Sequence, residues 1–365
     1  MSKPRRTPLY DFNVAHGGRM VDFAGWEMPV QFKSIVEEHK ATRAAAGLFD
    51  VSHMGEAIVE GPQATEFLDF VLTNHIAPME RGRVLYSLMC NEAGGVVDDL
   101  LVYRKAEDSY LLCLNAANVA KDVAWLQERA ADFEAVVTDV SDDYGLIALQ
   151  GPKAFEVLAK VTEADLDSLH YYWFVEGEVC GAKCIISRTG YTGEKGVELF
   201  VSPSDAERVA ETLLEVGEAE GLALAGLGAR DSLRLEAGYS LYGHEIDDVV
   251  GPVAAKLMWT VKLKKDDFVG KAAIEKAKAA GPEKRIVFFK TGSRRIVRAD
   301  AEVLANGEKV GHVVSGTFSP ELNEAIGSAL VDSDAAKADL SVDIRGKAMP
   351  LFAAKIPFLP LNPQA

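Results

Sequence analysis

Apolar positions recur with the spacing of an α-helix in several stretches of the first three quarters of the chain. The first stretch starts at Ser34, and Glu37 follows at the spacing of a capping box, with Gly47 expected to end the helix. Further amphipathic helices are predicted in "NAANVAKDVAWLQERA", "SPSDAERVAETLLEVGEAEG" and "GLGARDSLRLEAG". Each of these helices has one apolar face that must pack against another element.

A pattern of strand, Gly-Pro and helix occurs twice, about 90 residues apart, in "EAIVEGPQATEFLDFVL" and "GLIALQGPKAFEVLAKV". Pro62 and Pro152 are predicted to lie in the first helical turn, where a missing N–H is not needed. Because the unit repeats, the sequence predicts two related α+β lobes with antiparallel strands between the helices.

The pattern changes after the stretch "KAKAAGPEK" (276–284), which is predicted to be a linker. Beyond it, short strands with alternating apolar residues are separated by turns at Asn306-Gly307 and Arg345-Gly346. This pattern is typical of a small all-β barrel. The predicted fold class is therefore α+β, with a two-lobed region at 1–275 and a C-terminal β-barrel domain at 283–365.

Composition and charge narrow the functional classes. A chain of 365 residues suggests two or three domains. Its net charge of −16 argues against an extended nucleic-acid surface. No apolar run reaches membrane-spanning length, and the N-terminus lacks the apolar segment of a secretory signal. We therefore expect no nucleic-acid or membrane partner and a cytoplasmic location, or the mitochondrial matrix for a processed eukaryotic protein.

Four cysteines are too few for a disulfide framework, and Cys180 and Cys184 are predicted to be reduced thiols on a strand pair. The histidines, of which His53 is the most distinctive, lack the spacing of a zinc site. The sequence also lacks a P-loop and a dinucleotide-binding fingerprint. We therefore expect neither a metal nor a nucleotide cofactor.

Two adjacent aspartates lie in the strand-like run "VVDDLLVYR". Since successive side chains of a strand point to opposite faces, Asp98 shares a face with Leu100, whereas Asp99 shares one with Tyr103. The two carboxylates therefore cannot act together as an acid/base pair. A carboxylate beside an aromatic ring suits proton transfer or the binding of a cation. The alternative is that both aspartates are solvated at the rim of a hairpin.

The stretch "SRTGYTGEKGVELF" interleaves glycines with Tyr191, Glu194 and Glu198. Glycines let the backbone approach a ligand, and a tyrosine and a carboxylate suit a flat heterocycle with N–H donors. A glycine-rich hairpin without a ligand is the alternative. In "GARDSLRLEAG", charged residues mix with leucines, so either one arginine faces a carboxylate pocket or the charges tie the lobes together.

Several of these stretches, taken together and in order, resemble the T-protein family of the glycine cleavage system over nearly the whole chain. The matching blocks include "MVDFAGWEMPVQF", "GLFDVSHMGE", "LYSLMCNEAGGVVDDLLVY", "SRTGYTGEKGVEL" and "SGTFSPELNEAIGSALV". The resemblance implies a cloverleaf-like arrangement of two intertwined α+β lobes with antiparallel sheets, plus the C-terminal barrel, around a central folate channel.

The resemblance also implies an aminomethyltransferase. Such an enzyme transfers the methylene of the aminomethyl group on lipoylated H-protein to tetrahydrofolate, its co-substrate. The products are 5,10-methylenetetrahydrofolate, ammonia and dihydrolipoyl H-protein. The implied partners are lipoylated H-protein and, functionally, the P- and L-proteins of the same system.

Carried over position by position, the family's catalytic aspartate falls on Asp99, which leaves Asp98 as an expected structural neighbour at the hairpin rim. Arg298 is an expected contact of the lipoyl arm. The implied substrate- and folate-binding residues are Met54, Tyr86, Tyr103, Asn118, Tyr172, Tyr191, Glu198 and Arg230.

Two alternatives accompany this interpretation. One is another folate-dependent enzyme of the same fold, such as a sulfoniopropionate demethylase; the related flavin dehydrogenases are disfavoured because the chain has no flavin domain. The other is a non-catalytic folate-binding factor for iron–sulfur assembly. That branch carries a cysteine block, whereas the corresponding stretch here, "GARDSLRLEAGYSLYGHEID", contains no cysteine.

Overall fold

The computed structural model describes residues 3–344, 346–361 and 363–364. The α-helices are α1 Tyr10–Ala15, α2 Ile35–Ala44, α3 Ala64–Val71, α4 Val119–Ala130, α5 Ala154–Leu158, α6 Pro203–Gly217, α7 Leu227–Ala237 and α8 Lys271–Ala280. Short 3-10 segments lie at Ser141–Asp143, Glu218–Glu220 and Met258–Thr260.

The strands of the first 280 residues are β1 Arg5–Arg6, β2 Arg19–Phe23, β3 Trp26–Gln31, β4 Ala46–Asp50, β5 Gly55–Glu60, β6 Val84–Cys90, β7 Val96–Ala106, β8 Ser109–Leu114, β9 Val136–Asp139, β10 Gly145–Gln150, β11 Phe174–Val179, β12 Ala182–Ser187, β13 Gly196–Val201 and β14 Leu222–Leu224. Those of the C-terminal part are β15 Lys284–Lys290, β16 Glu302–Ala305, β17 Glu308–Ser319, β18 Glu324–Asp332, β19 Leu340–Ile344 and β20 Lys347–Ala354.

Two large sheets are interleaved along the chain. One has the order β6-β7-β8-β5-β9 and is antiparallel throughout. The other has the order β11-β12-β13-β10-β4-β14, in which only β14 pairs parallel to its neighbour. Because β4 belongs to the second sheet and the next five strands to the first, the two lobes are intertwined, as the family resemblance implied.

The repeated strand–Gly-Pro–helix unit has the same local geometry in both lobes. Gly61 and Gly151 have φ angles of 134° and 135°, and a Cβ on either would lie 2.4 Å from a backbone oxygen. Only glycine fits there. The helices start at Ala64 and Ala154, so Pro62 and Pro152 lie in the preceding turn, and their predicted place in the first helical turn is wrong.

The C-terminal strands close into a barrel of order β15-β18-β17-β16-β19-β20. Asn306 and Gly307 join β16 to β17, and both have positive φ angles, 52° and 85°, as the predicted Asn-Gly hairpin requires. The predicted turn at Arg345-Gly346 links β19 to β20, although Arg345 lies outside the described residues. Val303, Val313, Ala329 and Val342 are among the buried residues that fill the barrel interior.

Two local predictions need correction. Ser34 caps α2 by accepting a hydrogen bond from the Glu37 amide, as predicted, but the helix ends at Ala44. Gly47 instead lies in β4, paired with Gln150, because the chain must enter the sheet at that point. The predicted linker over 276–284 is helical through Ala280, since α8 continues until Gly281 and Pro282 end it.

Candidate active site

The candidate active site is built on β7, which lies between β6 and β8. Asp99 is partly accessible, and its carboxylate accepts hydrogen bonds from the Tyr86 hydroxyl on β6 and from Nδ2 of Asn115, both at 2.9 Å. Leu100 and Val102 pack into the core on the opposite face of the strand. The alternation predicted from the sequence is therefore present.

Asp98 is not at a solvated hairpin rim, so that expectation is wrong. Its side chain is fully buried. It accepts hydrogen bonds from the backbone N–H of Asn115 at 3.2 Å, from Asn115 Nδ2 at 2.9 Å and from Asn118 Nδ2 at 2.8 Å. The reason is tertiary: the segment that leads from β8 into α4 folds over this end of β7 and covers it.

The environment of Asp99 adjusts its proton affinity. Burial and the neighbouring charge of Asp98 raise the pKa of Asp99 to about 7, against the hydrogen bonds from Tyr86 and Asn115, which lower it. A carboxyl group with a pKa near neutrality can exchange a proton at physiological pH. The two aspartate side chains point to opposite faces of β7, yet their charges interact.

Tyrosines from three segments converge on Asp99. Burial, followed by the charge of Asp99, raises the pKa of Tyr86 well above its ordinary value. Tyr191 and Tyr172 shift this pKa in the same direction. Tyr191 stacks on Tyr239 at 5.8 Å between ring centroids and donates its hydroxyl to the carbonyl of Ser240. The side chains of Tyr86, Tyr172 and Tyr191 are all partly accessible. They provide aromatic surface around the carboxylate.

Glu198 and Arg230 form the polar end of this cluster. One oxygen of Glu198 accepts a hydrogen bond from the Thr189 hydroxyl at 2.6 Å, and its other oxygen has no partner among the described residues. Burial raises the pKa of Glu198, opposed by Thr189 and by the charge of Arg230. The Arg230 guanidinium lies 4.8 Å from the ring centroid of Tyr191. An acceptor and a group of donors are thus available for a ligand.

Three other predicted residues have supporting positions. Tyr103 is fully buried and packs edge-on against Phe174 and Phe200, so it stands behind the site and is enclosed by protein. The amide of Asn118 is engaged by Asp98. Met54 is partly buried and packs against the core cluster that contains Tyr103.

Arg298 is exposed in the segment between β15 and β16 of the barrel. Among the described residues, no observed contact connects Arg298 to the cluster around Asp99.

The charged residues of α7 have different roles. Arg234 and Glu236 tie the lobes together: Arg234 pairs with Glu245 at 2.9 Å and donates to Ser315 of the barrel, while Glu236 pairs with Arg43 at 2.9 Å. Arg230 is thus the arginine of α7 that faces the carboxylate site.

Sequence reasoning gave no role to Asn115, Thr189, Asp122 or Trp259, although all lie at or beside the site. Trp259 is 60% exposed and stacks on Tyr86 at 5.6 Å. Asn115 follows the last residue of β8 and precedes α4, and a polar residue at such a junction is the one signal that could have identified it. Trp259 reaches Tyr86 from a distant segment, so no local pattern reveals the contact.

Two structural features are absent from the described residues. Among these residues, the helices include none with the length and apolar character needed to cross a membrane. The same part of the chain contains no group of three or more His, Cys, Asp or Glu side chains arranged to hold a metal ion.

Comparison with known proteins gives consistent matches over the whole chain. Residues 9–265 match the model of the GCVT N-terminal domain, and residues 284–359 match that of the glycine cleavage T-protein C-terminal barrel domain. An aminomethyltransferase of Halothermothrix orenii is 47% identical over 97% of this chain and 100% of its own. One from Saccharopolyspora erythraea is 48% identical, with coverage of 99% and 100%.

A solved structure agrees. The crystal structure of the glycine cleavage system aminomethyltransferase T from Bartonella henselae matches with a TM-score of 0.92 and 36% identity, over 99% of this chain and 98% of that one. The fold is therefore that of an aminomethyltransferase. The chain belongs to the glycine cleavage T-protein family. The predicted fold class, enzyme class and function in glycine cleavage are confirmed, and none of these matches favours the demethylase or the iron–sulfur factor.

Proposed function

We propose that this protein transfers the methylene of the aminomethyl group on lipoylated H-protein to tetrahydrofolate. The carbon loses its bonds to the lipoyl sulfur and to the amino nitrogen, and gains bonds to N5 and N10 of the folate. The two N–H protons of the folate pass to the sulfur and to the departing amine. The products are 5,10-methylenetetrahydrofolate, ammonia and dihydrolipoyl H-protein, with no change in oxidation state.

The observation that carries this proposal is the Glu198 oxygen that has no partner among the described residues, beside Arg230 and the partly accessible tyrosines. A pterin presents an amino group and a ring N–H on one edge, so the Glu198 carboxylate accepts both. Arg230 supplies donors, and Tyr86, Tyr172 and Tyr191 supply surfaces for the flat ring system. In this proposal Tyr103 and Met54 support the pocket from behind, and Asn118 acts through Asp98.

Asp99 is the residue we assign to the chemistry. Tyr86 and Asn115 fix its orientation through two hydrogen bonds, and its raised pKa suits a group that takes up a proton near neutral pH. As a carboxylate it also stabilises positive charge on the methylene as the carbon–sulfur bond breaks. Binding two large substrates in the correct orientation contributes further to the rate.

The proposal extends to partners and location. Lipoylated H-protein is the carrier substrate, and the P- and L-proteins supply the aminomethyl group and reoxidise the arm. Arg298 is the proposed contact for the arm, and we assign the enzyme to the cytoplasm. In the proposed domain division, residues 1–275 bind folate and residues 283–365 form the barrel domain.

The direct test is to give purified protein tetrahydrofolate and aminomethylated H-protein and to measure 5,10-methylenetetrahydrofolate and ammonia. Equal amounts of both products are expected, and omission of either substrate abolishes them. A parallel reaction replaces the carrier with a methyl-sulfonium donor. Turnover of that donor, with none of the carrier, would contradict the proposal in favour of a demethylase.

A further inference from the structure

Asp122 is a buried carboxyl group that the proposed reaction does not use. It lies in the first turns of α4, and its side chain is fully buried. Neither of its oxygens accepts a hydrogen bond from a described donor. Lys121 Nζ lies 3.8 Å from Asp122 Oδ1 but donates to the carbonyl of Val97 at 2.5 Å and to the Tyr242 hydroxyl at 3.0 Å.

Asp98 is the carboxyl group beside Asp122: the Asp122 backbone N–H donates to the carbonyl of Asn118 at 2.8 Å, and Asn118 Nδ2 donates to Asp98 at 2.8 Å. Two ionised carboxylates have only acceptor oxygens and repel each other, so they cannot form a hydrogen bond. One of the two must hold a proton. The surrounding donors decide which one, because Asp98 already accepts three hydrogen bonds from Asn115 and Asn118, whereas Asp122 accepts none from the part of the chain that the structure describes.

We propose that Asp122 is a neutral carboxylic acid that donates its proton to the Asp98 carboxylate and so acts as a positioning residue for Asp99. The link runs through Asn115, whose Nδ2 lies 2.9 Å from an oxygen of Asp98 and 2.9 Å from an oxygen of Asp99. The bond from Asp122 is added to the three from Asn115 and Asn118, so the Asp98 carboxylate accepts four hydrogen bonds. This fully hydrogen-bonded anion fixes the Asn115 amide. That amide in turn fixes the carboxylate of Asp99.

Electrostatics favours the same assignment. The charged groups acting on Asp122 are Asp98 and Asp99 from β7 and Lys121 from α4 itself, and Lys121 in turn contacts Tyr242. Burial, followed by the hydrogen bond to Asp98, raises the pKa of Asp122 far above its ordinary value. A neutral Asp122 also spares Asp99 a second nearby negative charge, which would raise its proton affinity further.

Infrared spectroscopy tests the protonation state without any substrate. At pH 9, where the Asp99 carboxyl is ionised, the wild-type-minus-Asp122→Asn difference spectrum should contain the carbonyl stretch of a protonated carboxylic acid. Asp132→Asn, the same change at an exposed position after α4, is the matched control, and its difference spectrum should contain no such band. A wild-type-minus-Asp122→Asn spectrum without that band would overturn the inference.

Kinetics tests the positioning role, and this part rests on the proposed function. Asp122→Ala should lower turnover by about 10- to 100-fold, the effect of a small misplacement of a reacting group. Asp122→Asn should restore most of that loss, because its amide still donates to Asp98. In Asp122→Asn the acidic limb of the pH–rate profile should stay at the wild-type pH, since a neutral group replaces a neutral one.

A shift of that limb to lower pH in Asp122→Asn would show that the substitution removed a negative charge, and would overturn the inference. If Asp122→Ala fails to fold, Asp98→Asn provides the second comparison: it removes the anion and should move the limb to lower pH. If the wild-type enzyme does not transfer the aminomethyl group at all, the proposed function fails, whereas the infrared result still decides the state of Asp122.

Discussion

The hydroxyl of Tyr86 donates to the carboxylate of Asp99 at 2.9 Å, across the pairing of β6 with β7. Leu88, not Tyr86, is the direct cross-strand partner of Asp99, so the bond is a diagonal one, reached by the length of the tyrosine side chain. It joins an aromatic surface to the carboxyl group that we assign to the chemistry.

Replacing the Asp99 carboxylate should affect turnover far more than folate binding. We expect Asp99→Asn to lower turnover by about 10²- to 10⁴-fold, the range for loss of a proton-transfer group. The dissociation constant for tetrahydrofolate, measured by fluorescence titration, should remain close to wild type because Glu198 and the tyrosines are intact. A variant that cannot bind folate, or one that keeps full turnover, would contradict the assignment.

The pH dependence of turnover should reflect the environment of Asp99. Its raised pKa of about 7 means that the carboxylate form is lost as pH falls through 7, so turnover should fall there. Tyr86→Phe removes a hydrogen bond that lowers this pKa, so the acidic limb should move to higher pH. The measurement is turnover against pH for both proteins. A limb that moves to lower pH would show that Tyr86 does not stabilise the carboxylate.

Glu198 should determine folate affinity. In Glu198→Gln one acceptor oxygen is replaced by an NH₂ group, which cannot accept a hydrogen bond from a pterin N–H. We therefore expect the binding free energy of tetrahydrofolate to weaken by about 1.5–3 kcal/mol, the contribution of a hydrogen bond to a charged group. Calorimetric titration with tetrahydrofolate measures this. Glu178→Gln, at an exposed position on β11 of the same sheet, is the control and should bind normally. An unchanged dissociation constant in Glu198→Gln would remove Glu198 from the folate site.

The stability of the fold should depend on a buried lysine that is not among the residues assigned to the chemistry. Lys265 donates to the carbonyls of Asp69, Leu72 and Asn74, and burial lowers its pKa to about 8. Lys265→Met leaves these carbonyls unpaired and should lower the free energy of unfolding by roughly 1–3 kcal/mol. Denaturant unfolding measures this, and Lys264→Met, at an exposed neighbouring position, should have little effect.

The same lysine gives a pH signature with a defined sign. Its folded pKa lies below the unfolded value of 10.5, so the unfolded state binds more protons between about pH 8 and 10.5. The stability of the wild type relative to Lys265→Met should therefore rise with pH across that window. A difference that is constant or falls over this range would contradict the assigned pKa.

Arg298 provides a test of carrier docking that is independent of folate binding. If this exposed side chain contacts the arm or its carrier, Arg298→Glu should raise the KM for aminomethylated H-protein without changing the dissociation constant of folate. Arg81→Glu, the same reversal at another exposed arginine, is the matched control. Equal effects of the two reversals would indicate only a general charge effect.

Much of the fold follows from local patterns. The capping box at Ser34 and the Asn306-Gly307 hairpin were predicted because capping and turn conformation act over a few residues, whereas the intertwining of the two lobes was implied by the family resemblance. Element ends were less accurate. Gly47 and the stretch 276–284 were misassigned because the packing of β4 and the continuation of α8 depend on segments distant in sequence.

For the site, the sequence by itself determined that Asp98 and Asp99 face opposite ways, since that follows from the geometry of any strand, and motif resemblance singled out Asp99. Only the tertiary structure decided that Asp98 is buried, because the junction between β8 and α4 must fold over β7 before Asn115 and Asn118 can reach it. Burial then changes the chemistry of both carboxylates, and of Asp122, through desolvation and mutual charge. These effects depend on which groups meet in space, and spacing along the chain does not encode them.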